Sequence, residues 1–197
     1  MTRPFKITLP LLSALGLGVI LACGGGGGGS SAPAPPAKTI ADTLTYTNPA
    51  SGAYMLVRNG SKSTPSHLVL DLLGPSGEVS GVGFYLTADE TKVTWTLVDP
   101  EDPERVKSGI FSNTIVKSLV SGGTLQAGVY QKGTTPAASV LASTVLASVA
   151  LDLKSKVPLL NPPNVTLTSG KAIILNAPAN AIATTPISIT TGTLIAN

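Results

Sequence analysis

An all-β antiparallel sandwich is the fold this sequence predicts, on three observations. Apolar residues recur with period two along 39–197. The apolar runs are short and divided by Gly-, Pro- and Asn-rich breaks such as Ser121-Gly122-Gly123 and Asn161-Pro162-Pro163. About ten such runs follow one another at turn-punctuated intervals, the rhythm of a jelly-roll or immunoglobulin-like sandwich. A stretch of this size buries one core without disulfide support.

Taken in order, Leu44 and Tyr46 alternate with threonines. Tyr54-Met55-Leu56-Val57 and Leu68-Val69-Leu70-Asp71-Leu72 are β-like runs on either side of NGSKSTPS (59–66), a polar turn opened by Asn59-Gly60. They read as a hairpin. Val82, Phe84 and Leu86 alternate with Gly83, Tyr85 and Thr87, which puts Phe84 inward and Tyr85 outward. Val93, Trp95 and Leu97 alternate with Thr94, Thr96 and Val98, so Trp95 is expected in the core. DPEDPE (99–104) is a loop. Further strands are expected at 109–120, 124–131, 145–153, 164–168, 171–175, 187–190 and 193–195. Val140 to Leu153 also carries helical spacing; its β-branched content favours a strand preceded by one helical turn. No second domain, repeat or coiled coil is visible.

Composition excludes several function classes. The 197 residues carry 13 Lys+Arg and 10 Asp+Glu, and charged residues are only 12% of the chain. Arg3 and Lys6 lie in the segment read below as a removed leader, which leaves 11 basic against 10 acidic residues. A near-neutral chain with scattered lysines such as Lys92, Lys117 and Lys132 has no nucleic-acid surface. One cysteine permits no internal disulfide and no multi-cysteine metal centre. One histidine, His67, excludes a histidine-rich metal site. No cofactor is expected.

The N-terminus reads as an address. MTRPFK (1–6) is basic, and ITLPLLSALGLGVIL (7–21) is an uncharged apolar run, short for a membrane span. Ile20-Leu21-Ala22-Cys23 resembles the lipobox of bacterial lipoproteins. The resemblance implies cleavage after residue 22, a diacylglyceryl thioether on Cys23 and acylation of its new amino group. Two or more acyl chains anchor stably where one does not. In that family Asp after the cysteine commonly retains the product in the inner membrane; Gly24 here implies the outer membrane. GGGGGGSSAPAPPA (24–37) is a flexible coil passing into extended polyproline. It lacks the strand, helix and Lys-Ser/Thr of a phosphate-binding loop. The expected organisation is a signal peptide with a signal helix at 1–22, lipidated Cys23 with its tether at 23–38, and a sandwich at 39–197.

The order of GVGFYLTADETKVTW, LASVALDL, VTLTSGKAIILNAPANAI and TTGTLIAN resembles cohesin-like modules and the related carbohydrate-binding sandwiches of secreted bacterial proteins. The resemblance implies a cohesin-like topology and recognition of a dockerin or a polysaccharide. No linear stretch lets a dockerin-contact residue be carried over.

Enzyme signatures are scarce. No Ser lies three residues before a Lys, and no G-x-S-x-G elbow occurs. A serine-type hydrolase would have to use His67, which reads as an exposed or edge-strand histidine beside Ser66. A glycosidase needs two positioned acids, and the candidates are Asp71, Glu78, Asp89, Glu90 and Asp152. Asp99, Glu101, Asp102 and Glu104 offer oxygens for calcium, but without the EF-hand glycine and spacing and with two stiffening prolines; a solvated loop is the simpler account. Tyr85 is the candidate ligand-surface aromatic. The sequence therefore points to a lipid-anchored, non-catalytic binding or structural module. A carbohydrate- or dockerin-recognition module is the alternative, and a hydrolase built on His67 the third reading.

Overall fold

The computed structural model describes residues 37–133, 135–159, 163–176 and 183–197. The leader, the Ile20–Cys23 motif with its cysteine, and the tether as far as Pro36 lie outside the described residues.

Among the described residues the chain forms sixteen strand segments and no helix. They are β1 (Leu44–Thr47), β2 (Tyr54–Arg58), β3 (His67–Gly74), β4 (Gly77–Val79), β5 (Gly81–Ala88), β6 (Val93–Thr96), β7 (Val106–Ser108), β8 (Thr114–Ser121), β9 (Thr124–Gln131), β10 (Ala138–Val140), β11 (Thr144–Leu153), β12 (Asn164–Val165), β13 (Leu167–Leu175), β14 (Thr184–Ile187), β15 (Ile189–Thr190) and β16 (Thr193–Ala196). One main sheet has the order β15-β2-β3-β11-β6, and β7 pairs β11 in tandem with β6. The other has the order β14-β13-β5-β9-β8. Two small sheets, β1-β16-β12 and β10-β4, complete the set. Every pairing is antiparallel except β15 with β2.

The period-two pattern has its cause between the two main sheets. Leu68, Leu70 and Leu72 of β3 and Val149 and Leu151 of β11 share one core with Val82, Phe84 and Leu86 of β5 and Leu125 and Val129 of β9. Burying each such side chain contributes about 1.5–3 kcal/mol. Trp95 is in this core as its parity requires, and its Nε1 donates to Gly123 O at 2.8 Å, which removes the cost of burying an indole N–H. The far face of β3 is covered as well. Val98 packs on Val69 and Ala150 there. Asp71 accepts hydrogen bonds from Ser148 Oγ at 2.6 Å and Asn59 Nδ2 at 2.9 Å.

The β2–β3 hairpin, β9 and β11 form where the pattern places them. Other boundaries differ for identifiable reasons. The strand expected at 109–120 begins only at Thr114, as β8, because the chain leaves the first sheet at Ser108, the end of β7, and crosses to the second over 109–113. Gly109 passes so close to β11 that a Cβ there would lie 2.0 Å from Val145 O, and Asn113 turns the chain at φ 47. The strand expected at 164–168 divides into β12, which pairs β16, and the start of β13; β13 continues through 171–175 and absorbs an irregularity between Ser169 and Ala172 as a bulge. The strand expected at 187–190 divides at Ser188: β14 bonds to β13, β15 to β2, and the chain crosses between sheets. The helical turn expected before Val145 is a tight turn instead, with Ser143 at φ 66 donating to Gly74 O at 3.0 Å. His67 is not on an edge strand, since β3 is paired on both sides. The short β4–β10 pair was not anticipated.

Candidate functional site

The outward face of the second sheet is laid out by its register. Three of its rows carry the apolar residues, beside a fourth of Ser121, Thr124, Thr87 and Thr168. Ile115 (β8), Tyr130 (β9), Gly81 (β5) and Leu175 (β13) form the first; Lys117, Gly128, Gly83 and Ile173 the second. Leu119, Gln126 and Tyr85 form the third, which ends at the bulge holding Gly170 and Lys171. Glycines at 81, 83 and 128 leave the centre of the face without side chains of its own. Tyr130 lies across them. A Cβ on Gly81 would sit 2.5 Å from its Cδ1, one on Gly83 2.4 Å from its Oη, and one on Gly128 2.4 Å from its Cε2. Burial against this floor raises the pKa of the Tyr130 phenol, and neighbouring Tyr85 adds to the rise.

What remains open is a hollow of about 470 Å³, lined by Tyr85, Leu119, Tyr130, Ile173, Lys117 and Lys171 among others. Around it Tyr85 is 40%, Ile115 45% and Leu119 59% exposed. Large apolar side chains gathered on an exposed sheet face are a mark of a binding surface. Tyr85 is thus where its parity puts it. Tyr130, Ile115, Leu119 and the glycine floor were not singled out from sequence. The signal was present in GVGFY, which has glycine at both outward positions before Tyr85, and in TIVKSLVS, whose two alternating sets each carry two aliphatic residues.

The acidic loop is organised around an internal cation. Lys107 Nζ lies 3.2 Å from Asp99 Oδ2 and 3.3 Å from Asp102 Oδ2. Asp99 also accepts the Glu101 N–H at 3.3 Å, and Glu104 turns away to accept Ser118 Oγ at 2.6 Å. The Glu101 N–H, then Lys107, hold the Asp99 carboxyl below its ordinary range, and the two aspartates raise Lys107. Among the described residues no group of three or more His, Cys, Asp or Glu is arranged to hold a metal ion.

His67 faces a separate hollow of about 490 Å³ on the other sheet, lined also by Lys62, Thr96, Val98, Asp99 and Asp152. Its Nδ1 is 2.6 Å from Asp152 Oδ1, its cross-strand partner on β11. Ser66 and Thr96 make no hydrogen bond to the ring among the described residues. Of the other acids, Asp71 is satisfied by Ser148 and Asn59 as described. Asp89 closes the β5–β6 turn through Lys92 Nζ at 2.6 Å and Thr91 Oγ1 at 2.5 Å. Lys92, then Thr91, hold the Asp89 carboxyl below its ordinary range.

No protein-family model and no curated protein matches this chain. Solved structures similar to it are cohesin modules. A type II cohesin domain from the cellulosome of Acetivibrio cellulolyticus superposes with a TM-score of 0.52 at 10% identity, over 73% of this chain and 94% of that one. A type II cohesin dyad from an adaptor scaffoldin of the same organism gives 0.52 at 9% identity, over 74% of this chain and 48% of the dyad. The sixth cohesin of its scaffoldin B, solved with a dockerin, gives 0.48 at 18% identity, over 72% and 97%. The likeness is one of fold.

Proposed function

We propose that this chain is a non-catalytic recognition module, anchored in the bacterial outer membrane through acylated Cys23, whose second main sheet docks a protein partner on its outward face. The observation that carries the reading is the exposure of Tyr85, Ile115 and Leu119 together around a hollow of about 470 Å³. The cohesin fold supports it, and a dockerin-type module is the first partner to try. The lipobox and the tether support the anchor.

Site-specific photo-crosslinking tests the face. Benzoyl-phenylalanine in place of Leu119 in the full chain is expected to give one discrete protein adduct, lost when Tyr85→Ala is added. The same group in place of Glu101 should give none. No adduct at Leu119, or identical adducts at both positions, overturns the docking face. Labelled palmitate should enter the wild-type chain and not Cys23→Ala; equal labelling of both, or of neither, overturns the anchor. A polysaccharide reading has one observation in its favour, the neighbouring rings of Tyr85 and Tyr130. Retention on a glycan array that is lost in Tyr85→Ala would put it in place of the protein reading.

A further inference from the structure

The outward face of the second sheet is charged in one sense only. Lys117 stands on β8 and Lys171 at the β13 bulge, on opposite sides of the hollow. The hollow is lined by neither Asp nor Glu. Three lysines elsewhere on the domain are paired with carboxylates, while Lys62, Lys132 and Lys156, like the two at the hollow, make no ion pair among the described residues. Lys38 pairs Asp42 at 2.6 Å, Lys92 pairs Asp89 at 2.6 Å, and Lys107 pairs Asp99 and Asp102. Lys117 and Lys171 make no ion pair or hydrogen bond among the described residues. Two strands, β9 and β5, separate β8 from β13, which puts the strands bearing the two lysines about 14 Å apart. Between them the floor is the Tyr130 ring lying on Gly81, Gly83 and Gly128, and the walls are Tyr85, Leu119 and Ile173.

We infer that this site selects an acidic protein surface, one that presents a large apolar side chain to the hollow with a carboxylate on either side of it. The inference rests on the docking reading above and adds to it the chemistry of the partner. An apolar anchor fits a hollow floored by the Tyr130 ring and walled by Tyr85, Leu119 and Ile173. A carboxylate on each side meets a lysine whose charge has no internal partner, so no existing ion pair is broken on binding. A basic partner would set like charges together at both sides, and an uncharged one would leave both ammonium groups beside a dewetted contact.

The test uses the full chain and three end-blocked tripeptides, Asp-Phe-Asp, Lys-Phe-Lys and Asp-Gly-Asp, followed through the amide signals of Gly83, Ala127 and Gly128 by NMR titration. Asp-Phe-Asp is expected to move these signals with a dissociation constant about ten-fold lower than Lys-Phe-Lys, the size of two exposed ion pairs. Added salt should narrow that gap, and the double variant Lys117→Gln, Lys171→Gln should abolish it. Asp-Gly-Asp should leave the signals in place, since it lacks the anchor. Equal affinity for the acidic and basic peptides, with the shifts still on this face, overturns the charge selection and leaves the docking face standing. Shifts from Asp-Gly-Asp equal to those from Asp-Phe-Asp overturn the apolar anchor. No shift at these glycines with any peptide overturns the inference, while the crosslink at Leu119 decides the docking face independently.

Discussion

Alanine at Gly81 and alanine at Gly83 should part company in stability although the two sites are neighbours on one strand. A Cβ at Gly81 meets Tyr130 Cδ1 at 2.5 Å, Val129 O at 2.8 Å and Tyr130 Cα at 3.0 Å. Two of those atoms are backbone of β9, the strand bonded directly to β5, so relief requires the ladder to shift. Overpacking of that kind costs about 1–3 kcal/mol. At Gly83 the obstacle is Tyr130 Oη at 2.4 Å, the far end of one side chain. The ring can swing away, re-exposing on the order of 50 Å² at about 1.3 kcal/mol. Restriction of the unfolded chain by alanine offsets about 0.4–1 kcal/mol at either site. Gly83→Ala should therefore fall within about 1 kcal/mol of the parent, with the ladder cost of about 1–3 kcal/mol added for Gly81→Ala. For a domain of this length that separates the two Tm values by about 3–10 °C. Trp95 is the only tryptophan in the chain and lies in the core, so its fluorescence reports unfolding. Equal melting of the two variants, or a Gly83→Ala variant less stable than Gly81→Ala, would refute the placement of the Tyr130 ring on its glycine floor.

Tyr46→Phe should cost about 1–3 kcal/mol in denaturant unfolding. The lost hydroxyl donates to Leu56 O at 2.9 Å and accepts the Gly192 N–H at 2.5 Å, so two backbone groups lose their partner. Burial raises the Tyr46 pKa despite the opposing Gly192 N–H. Its contribution is then complete below the unfolded value near pH 10 and declines as pH rises through the higher folded value, a slope that Tyr46→Phe should reduce in alkaline melts. Asp89 has the opposite sign: with its folded pKa depressed by Lys92 and Thr91, its contribution is complete above about pH 4 and is lost as pH falls through the folded value. Asp89→Asn should flatten acid unfolding in that window. Tyr85→Ala and Leu119→Ala should stay within about 0.5 kcal/mol of the parent by thermal melt, as surface changes do, while weakening the crosslink to the partner.

The sandwich was legible because its inward residues alternate strictly. Val82-x-Phe84-x-Leu86 and Val93-x-Trp95 leave one choice of face, and both occupy it. Strand ends were less legible because a bulge and a sheet crossing leave no break in apolar content. Ser188 divides two strands of different sheets, yet nothing in PISIT separates them. The docking face was half legible. Tyr85 follows from parity on its own strand. Tyr130 acquires its place only through a register that brings Gly81, Gly83 and Gly128, from two strands, beneath one ring. The pairing of His67 with Asp152 is of the same kind, since 85 residues of chain separate them and only the β3–β11 register joins them.

The first and last strands of the domain are tied to each other. Asp42 N–H and Thr43 N–H both donate to Asn197 O, at 2.7 and 3.0 Å, and Asn197 N–H returns a bond to Thr43 O at 2.9 Å. β1 and β16 continue this as a ladder from Leu44↔Ala196 to Thr47↔Thr193. The consequence is mechanical. A pull applied at Ala37 does not reach the main sheets first; it loads the bonds that tie Thr39 and Ala41 to Leu159 and Val157, then the Asn197 clasp and the short β1–β16 ladder behind it. Tyr46 rivets that ladder to the body of the fold through Leu56 of β2. If the domain is held at the proposed docking face and drawn at Ala37, this Tyr46 hydrogen bond and that of Leu44 N–H to Pro65 O lie between the point of pull and the face on β8, β9, β5 and β13.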